Sequence, residues 1–188
     1  MLERSVTHMY WENPYRFLAR RHREGWSRKA ATIRGHTVWM VQGMGLGHRV
    51  YYAIFDKAPR GERPIAWLML KQRPGWWAWE VEQLMVFPQF RRQGLARKLY
   101  TAVLNHDKCM LASGKTHTTQ SKAMWESFIR RNLFNIWAQD FSDLQNFCQV
   151  YWDKEDQQVV SQLSLYSPTY TRDIISKNNV RLVALRKG

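Results

Sequence analysis

Residues 80–96 read EVEQLMVFPQFRRQGLA, a strand-like half followed by a basic half that contains a glycine. Glu80–Val86 is rich in β-compatible residues, and Pro88 follows closely, where it cannot continue a strand ladder. Arg91–Gly94 then leads into an apolar pattern with helical spacing. The stretch therefore predicts a strand, a short turn and a helix that begins near Gly94.

The start of the predicted helix has the features of an anion site. The first amide groups of a helix lack intrahelical partners and lie at the positive end of its dipole. Gly94 would let a ligand approach the backbone, and Arg91, Arg92, Arg97 and Lys98 add positive charge. Such a site suits a pyrophosphate. The alternative is an ordinary strand–turn–helix unit whose basic first turn is solvated.

The N-terminal part of the chain predicts a helix and then mixed structure. Asn13-Pro14 is a good N-cap and first-turn pair for a helix that continues through Tyr15–Glu24. Trp26–Gly35 is polar and basic, which predicts a loop or a short second helix. Thr37–Val41 is predicted as a strand. Gly43–Gly47 lacks the spacing of a dinucleotide fingerprint, so we interpret it as a turn.

The rest of the chain predicts an α+β fold with a mixed, mostly antiparallel sheet. Before the turn we predict antiparallel strands at 50–55, 65–71 and 76–86. After the helix of Gly94 to about His106 we predict a strand at 109–113, parallel to the one at 76–86, and a helix at 118–131. Further strands are predicted at 134–138, 146–152, 159–165 and 180–186. The whole chain, 1–188, is expected to form one domain, with a β-rich C-terminal part at 138–188.

Composition restricts the function classes. Lys and Arg number 29 against 15 Asp and Glu, a net charge of +14 that favours anionic partners such as coenzyme phosphates or nucleic acid. The two cysteines and six histidines form no metal-ligand pattern, and no disulfide scaffold is indicated. No apolar run approaches the ~20 residues of a membrane helix. We expect a cytoplasmic protein that needs no metal and does not bind a membrane.

The spacing Val-x-Pro-x-aromatic-Arg-x-x-Gly-x-Ala at Val86–Ala96 resembles the acyl-coenzyme A signature of the GCN5-related N-acetyltransferase (GNAT) superfamily. The resemblance covers roughly residues 50–137, the expected coenzyme-binding core, and is specific at Glu80–Ala96. It implies acetyl-CoA, or another acyl-CoA, as cosubstrate and an amine as acceptor. The backbone of Leu84, Met85 and Val86 would bond the pantetheine arm. The loop amides of the following residues would hold the pyrophosphate: Arg91, Arg92, Gln93, Gly94, Leu95 and Ala96.

The same resemblance implies a glutamate as general base. It places that position at Glu80, with Glu82 two residues further along the strand. Alternation would direct both side chains to one face unless a bulge intervenes. Burial near the neighbouring tryptophans would raise a carboxyl pKa and suit it to remove a proton from an ammonium. The alternative is that either glutamate offsets local basic charge.

The helix after the next strand departs from the family pattern. Ser121 and Trp125 are expected beside the coenzyme, but Trp125 occupies the position where many members carry a tyrosine that protonates the leaving thiolate. An indole N–H cannot fill that role, so water, Ser121 or Ser127, or a side chain from the C-terminal part would have to.

Three functions remain open. The first is transfer of an acyl group to an unidentified acceptor, which could be a protein amine, a small amine or nucleic acid. The second is modification or binding of nucleic acid on the same fold, since Ser113–Trp125 looks like GNAT-type proteins encoded by bacteriophages. The third is a catalytically silent binding module, which Trp125 favours.

Overall fold

The computed structural model describes residues 13–43, 49–58, 61–73, 75–114, 118–140, 147–155, 158–161 and 180–187. Most of the glycine-rich turn predicted at 43–47, and the second half of the strand predicted at 159–165, lie outside these residues. By its internal contacts the chain divides into two units, one of residues 1–76 and 81–107 and one of residues 77–80 and 108–188. Each is described separately below.

The first unit begins with helix α1, Pro14–Arg23. The Oδ1 atom of Asn13 accepts a hydrogen bond from the backbone N–H of Tyr15 at 2.9 Å, and Pro14 occupies the first turn. Phe17 and Leu18 are buried, while the last turn carries basic residues that suit the negative end of the helix dipole. The predicted helix and its cap are confirmed.

Strands β1, Ser27–Ile33, and β2, His36–Gln42, form an antiparallel hairpin. The prediction of a loop or short helix at Trp26–Gly35 was therefore wrong. The two turn residues, Arg34 and Gly35, have φ angles of 48° and 79°, the left-handed conformation that a tight two-residue hairpin needs. Strand β1 lacks a strict alternation because Arg28 and Lys29 are both exposed and its register shifts between Lys29 and Ala31.

Three further strands complete the sheet of the first unit: β3, Arg49–Ala58; β4, Gly61–Gln72; and β5, Trp79–Val86. They follow one another in the order β1-β2-β3-β4-β5, and the pairs from β1 to β4 are antiparallel. Phe17, Leu18, Val41, Ala53 and Trp67 form a buried cluster between α1 and the sheet. These contacts hold α1 against one face of the strands that precede the turn.

The turn after β5 leads into the predicted helix. A 3₁₀ turn at Pro88–Phe90 is followed by helix α2, Leu95–Thr101, which continues as a π-helical segment over Ala102–His106. Leu95 and Leu99 are buried, as the apolar spacing predicted. The strand–turn–helix unit is confirmed, with its N-cap at Gly94.

The second unit contains the first residues of β5 and the C-terminal strands. Trp79 and Glu80 pair with β6, Leu111–Ala112, in parallel, as predicted. The remaining elements are helix α3, Thr119–Arg130, and strands β7, Asn135–Asp140; β8, Phe147–Asp153; β9, Gln158–Ser161; and β10, Val180–Leu185. The strand order is β6-β10-β7-β8-β9, with antiparallel pairs throughout. The mixed, mostly antiparallel sheet of an α+β fold is thus confirmed.

Candidate active site

The turn between β5 and α2 has an unusual backbone. Arg92 and Gly94 have φ angles of 63° and 71°, so two left-handed residues lie within three positions. A methyl group added at Gly94 would meet nothing within 4 Å, which means that the space over this residue is open. Left-handed residues in a turn can direct neighbouring backbone N–H groups toward a concave site that accepts anions.

The start of α2 leaves its amide groups available. Gly94, as N-cap, has no side chain to accept hydrogen bonds from them, and the residues from Arg91 to Gly94 are exposed. Helical geometry gives no intrahelical partner to the first few N–H groups. The Nε atom of Arg91 donates to the Val86 carbonyl at 3.2 Å, which ties the turn to the end of β5. A basic, anion-accepting loop results.

The side chain of Lys98 is directed away from this loop. Its side chain is buried and its Nζ atom lies 2.7 Å from Nδ1 of His36 and 3.4 Å from the Arg34 carbonyl. Burial, together with the charges of Arg34 and Arg97, lowers the pKa of the Lys98 ammonium. The Lys98 ammonium therefore lies against the β1–β2 turn and does not line the exposed loop. Arg97 itself is half-buried.

The end of β5 places three residues beside the turn. Leu84, Met85 and Val86 are all half-buried, and the N–H of the next residue, Phe87, donates to the Ile65 carbonyl of β4 at 3.1 Å. Within the described residues, β6 pairs with β5 only at Trp79 and Glu80. The rest of β5, residues 81–86, therefore extends beyond the two residues that pair with β6.

Glu82 is held by an arginine from β3. The Nε and Nη2 atoms of Arg49 donate to its two carboxylate oxygens at 2.8 and 3.0 Å. These hydrogen bonds hold the pKa of Glu82 below its usual range, with the nearby charges of Lys71 and Arg73 acting in the same direction. Burial among tryptophans was expected to raise the pKa of these glutamates. For Glu82 that expectation was wrong, because the arginine outweighs desolvation.

The Arg49 contact also shows which side of the sheet Glu82 faces. Arg49 and Tyr51 alternate on β3, and Tyr51 packs against Phe17 of α1 with ring centroids 5.4 Å apart. Burial raises the pKa of Tyr51, and the charges of Arg49 and Glu82 modulate that pKa. Glu82 therefore lies on the helix side of the sheet. Sequence reasoning missed Arg49 because it lies 33 positions away and carries no local signal.

The other predicted site residues belong to the second unit. Glu80 is buried, with 6% of its surface exposed, and its Cα lies opposite Ala112 of β6. The N–H of Ser121 donates to Oγ1 of Thr118, the N-cap of α3. Trp125 is 1% exposed and packs edge-on against Phe128. The predicted roles of these residues toward a coenzyme stay predictions.

A cavity of about 690 Å³ lies in the first unit on the α1 side of β4 and β5. Its large apolar walls are Tyr15, Trp67, Met85, Phe87 and Phe90. The indole Nε1 of Trp67 donates to Oε1 of Gln83, another lining residue, at 3.2 Å. No local pattern in the sequence indicates this cavity, since its walls come from three separate segments, 13–15, 63–67 and 83–90.

Two kinds of feature are absent from the residues that the structure describes. These residues contain no group of three or more His, Cys, Asp or Glu side chains placed to hold a metal ion. Among the helices of the described part of the chain, none has the length and apolar character needed to cross a membrane.

Comparison with known proteins identifies one family. The model of the acetyltransferase (GNAT) family matches residues 11–128, a range that includes α1, the sheet of the first unit, the β5–α2 turn and most of α3. The match begins well before residue 50, where the sequence resemblance was expected to start. Neither the curated proteins nor the solved structures gave a significant match.

Proposed function

Because this chain belongs to the acetyltransferase (GNAT) family, we propose that it transfers an acetyl group from acetyl-CoA to the nitrogen of an amine. Activity of this general kind follows from the family, whereas the acetyl group, the acceptor and the residue roles are our proposal. The observation that carries it is the turn at Arg91–Ala96, where left-handed Arg92 and Gly94 precede the free amides of α2.

The turn suits a pyrophosphate in shape and charge. The backbone amides of Gly94, Leu95 and Ala96 would hold the phosphate oxygens, and the exposed guanidinium of Arg92 would neutralise their charge. The methyl group of Ala96, where many members have a second glycine, is small enough to leave room. The backbone of Leu84–Val86 would orient the pantetheine arm, so that the thioester lies beside β5.

The reaction forms one bond and breaks another. The amine nitrogen bonds to the thioester carbonyl carbon, the carbon–sulfur bond breaks, and the products are an amide and coenzyme A thiol. The proton that the nitrogen loses goes to a carboxylate, and the leaving sulfur takes one from water or a serine such as Ser121. Trp125 is a purely apolar support in this proposal, because its indole N–H does not ionise in the relevant range.

We assign the two glutamates different roles. Glu82 has a lowered pKa and stays ionised, and because both of its oxygens accept hydrogen bonds from Arg49 we assign it the positioning of β5 against β3. Glu80 occupies the position at which family members carry the general base, and we assign it proton removal. Alignment of the amine with the thioester is where much of the rate gain in such transfers arises.

Calorimetry and turnover together test the proposal. Acetyl-CoA should bind the purified protein, and Glu80→Gln should lower the rate of amide formation about 100-fold or more while leaving coenzyme affinity within about twofold. Glu82→Gln should lower the rate much less than Glu80→Gln does. Absence of coenzyme binding would refute the proposal. Binding without turnover on any amine would instead identify a silent binding module.

A second candidate, nucleic-acid binding, is favoured by one surface. Trp26 is 66% exposed, and the guanidinium of Arg21 lies 5.1 Å from its ring centroid. Exposed Arg23, Arg28 and Lys29 surround it in sequence, and the chain carries a charge of +14. An aromatic ring among cations suits a base stacked on it and phosphates beside it.

The salt dependence of oligonucleotide binding tests this second candidate function. Binding of a fluorescent single-stranded oligonucleotide should weaken steeply as salt rises, and Trp26→Ala should weaken it further at every salt concentration. Weak binding that Trp26→Ala leaves unchanged would reduce the surface to a solvated basic face.

A further inference from the structure

We propose that Ser27, His22 and Glu62 form a second reactive site, in which Ser27 is a nucleophile that accepts the acyl group of a small aryl ester. The three residues lie on β1, α1 and β4 of the first unit, and none of them has a role in the proposed function. The site does not involve the β5–α2 turn, so the inference goes beyond the proposed function and does not rest on it.

His22 is hydrogen-bonded at both ring nitrogens. Its Nδ1 atom lies 2.7 Å from Oγ of Ser27, and its Nε2 atom is bonded to Oε2 of Glu62, 40 positions away in the sequence. Because a carboxylate can only accept a hydrogen bond, the Nε2 atom carries the ring proton in this contact. In the neutral imidazole Nδ1 is then an acceptor, and the Ser27 hydroxyl donates to it. A base that accepts from a hydroxyl on one side and is oriented by a carboxylate on the other is the arrangement that activates serine nucleophiles.

Aromatic rings from two strands hold the imidazole in this orientation. Phe55 of β3 stacks on the His22 ring with centroids 4.0 Å apart, and Trp39 of β2 meets it edge-on at 4.7 Å. Only 10% of the His22 side chain is exposed. A base that is already fixed beside its proton donor loses little further freedom during the reaction. The site is therefore preorganised for proton transfer from Ser27.

Ser27 can be reached from solvent. The residue is half-buried, and its neighbours on either side, Trp26 and Arg28, are exposed. The indole of Trp26 has 66% of its surface exposed, which gives an aromatic leaving group a ring to pack against. These surroundings favour an ester whose alcohol part is aromatic and whose acyl part is small.

A lysine on the same face of β1 can stabilise the transition state. Side chains two positions apart on a strand share a face, so Lys29 lies on the face of Ser27. In the β1–β2 register Lys29 is also opposite Trp39, the residue whose ring contacts His22. Lys29 is exposed, and its ammonium would attract the negative charge that develops on the ester carbonyl oxygen.

The reaction has two steps. In the first, the Oγ atom of Ser27 bonds to the ester carbonyl carbon, its proton passes to Nδ1 of His22, and the bond from that carbon to the phenolic oxygen breaks. The imidazolium returns the proton to the leaving oxygen, so the products are a phenol and an acyl-serine. In the second step water attacks the acyl-serine with His22 again as base, which releases the carboxylic acid and restores the Ser27 hydroxyl. Glu62 does not touch the reacting atoms and is a positioning residue.

Labelling with diisopropyl fluorophosphate, in the absence of coenzyme, tests the nucleophile. The Oγ atom of Ser27 bonds to phosphorus, fluoride leaves, and the hydroxyl proton passes through His22 to solvent. Peptide mass spectrometry should find the stable phosphoester on Ser27, and Glu62→Gln should slow its formation about tenfold or more. A network that only anchors α1 to the sheet would leave Ser27 unlabelled. That result, or an unchanged labelling rate in Glu62→Gln, would overturn the inference.

Nitrogen NMR of the His22 ring gives a readout that folding alone would not change. At a pH where the ring is neutral, the proton should lie on Nε2 in the wild type. In Glu62→Gln the new amide can donate to Nε2, so the proton should move to Nδ1, where it blocks transfer from Ser27. Glu62 has 44% of its side chain exposed, so this substitution should leave the fold intact. A wild-type ring protonated at Nδ1 would overturn the assignment of His22 as the base.

Steady-state hydrolysis of p-nitrophenyl acetate tests the acyl reaction. Ser27→Ala should lower the rate of p-nitrophenol release about tenfold or more, whereas Thr32→Ala, which removes an exposed hydroxyl from the same strand, should leave it unchanged. Equal rates in the two variants would overturn acyl transfer to Ser27. None of these assays contains coenzyme, so a negative result leaves acetyl transfer from acetyl-CoA standing. Conversely, a protein that fails to bind acetyl-CoA can still be labelled at Ser27.

Discussion

Gly94→Ala separates the backbone role of this glycine from its role toward a ligand. Gly94 has a φ angle of 71°, and an added methyl group would meet nothing within 4 Å. The substitution therefore causes no clash, and its cost in stability is that of holding an L-residue in the left-handed region, about 1–2 kcal/mol. In a chain of this size that cost lowers Tm by about 2–8 °C.

Coenzyme affinity should fall for a different reason. The new methyl group would occupy the open space over the turn, where we place the pyrophosphate, so the affinity for acetyl-CoA should fall at least about tenfold, or 1.4 kcal/mol. Scanning calorimetry measures the first effect and titration calorimetry, well below Tm, the second.

Gly35→Ala is the matched control. Gly35 has a φ angle of 79°, also with nothing within 4 Å of an added methyl group, but it lies in the β1–β2 turn. The two variants should lose similar stability, and only Gly94→Ala should lose coenzyme affinity. Equal coenzyme affinities in the two variants would refute the placement of the pyrophosphate over this turn.

Two further predictions concern stability. Arg49→Met should lower the free energy of unfolding at pH 7 by less than about 1 kcal/mol, since each partner of the Arg49–Glu82 pair is about a third exposed. Folding lowers the pKa of Glu82. The loss in free energy of unfolding should therefore be complete above the unfolded pKa of ~4.3 and should vanish as the pH falls through the folded pKa. Urea titrations at several pH values measure this dependence. A difference that grows toward acid pH would contradict the assignment. Asn13→Ala should cost about 1 kcal/mol through loss of the α1 cap, whereas Asn13→Ser should cost much less in the same urea titration, and equal losses would argue against capping.

Local signals in the sequence predicted most of the elements correctly. The cap at Asn13, the proline after β5 and the apolar spacing of α2 each act within a few residues, and each element lies where these signals predicted. The missed strand, β1, differs because its exposed face is basic and its short alternation is weak. The pair Arg34-Gly35 could have indicated the β1–β2 hairpin, since glycine between two short alternating segments is typical of a hairpin turn.

The chemistry of the site was less predictable because it depends on partners distant in sequence. The pKa of Glu82 is set by Arg49, and the Trp67 wall is set by Gln83, contacts that span 33 and 16 positions. In the sequence Lys98 follows the basic turn closely. In the structure its ammonium lies beside His36, and its side chain is buried. Charge in a sequence does not tell which side of the sheet a side chain faces.

The position of β10 has a consequence for how the protein is made. Val183 of β10 lies opposite Ala112 of β6 on one side and Trp137 of β7 on the other, although β6 and β7 are made long before it. During synthesis, the facing edges of these two strands stay open until residues 180–185 leave the ribosome. Open strand edges invite pairing with other chains, so nascent or C-terminally truncated forms should need chaperones at this step more than the mature chain does.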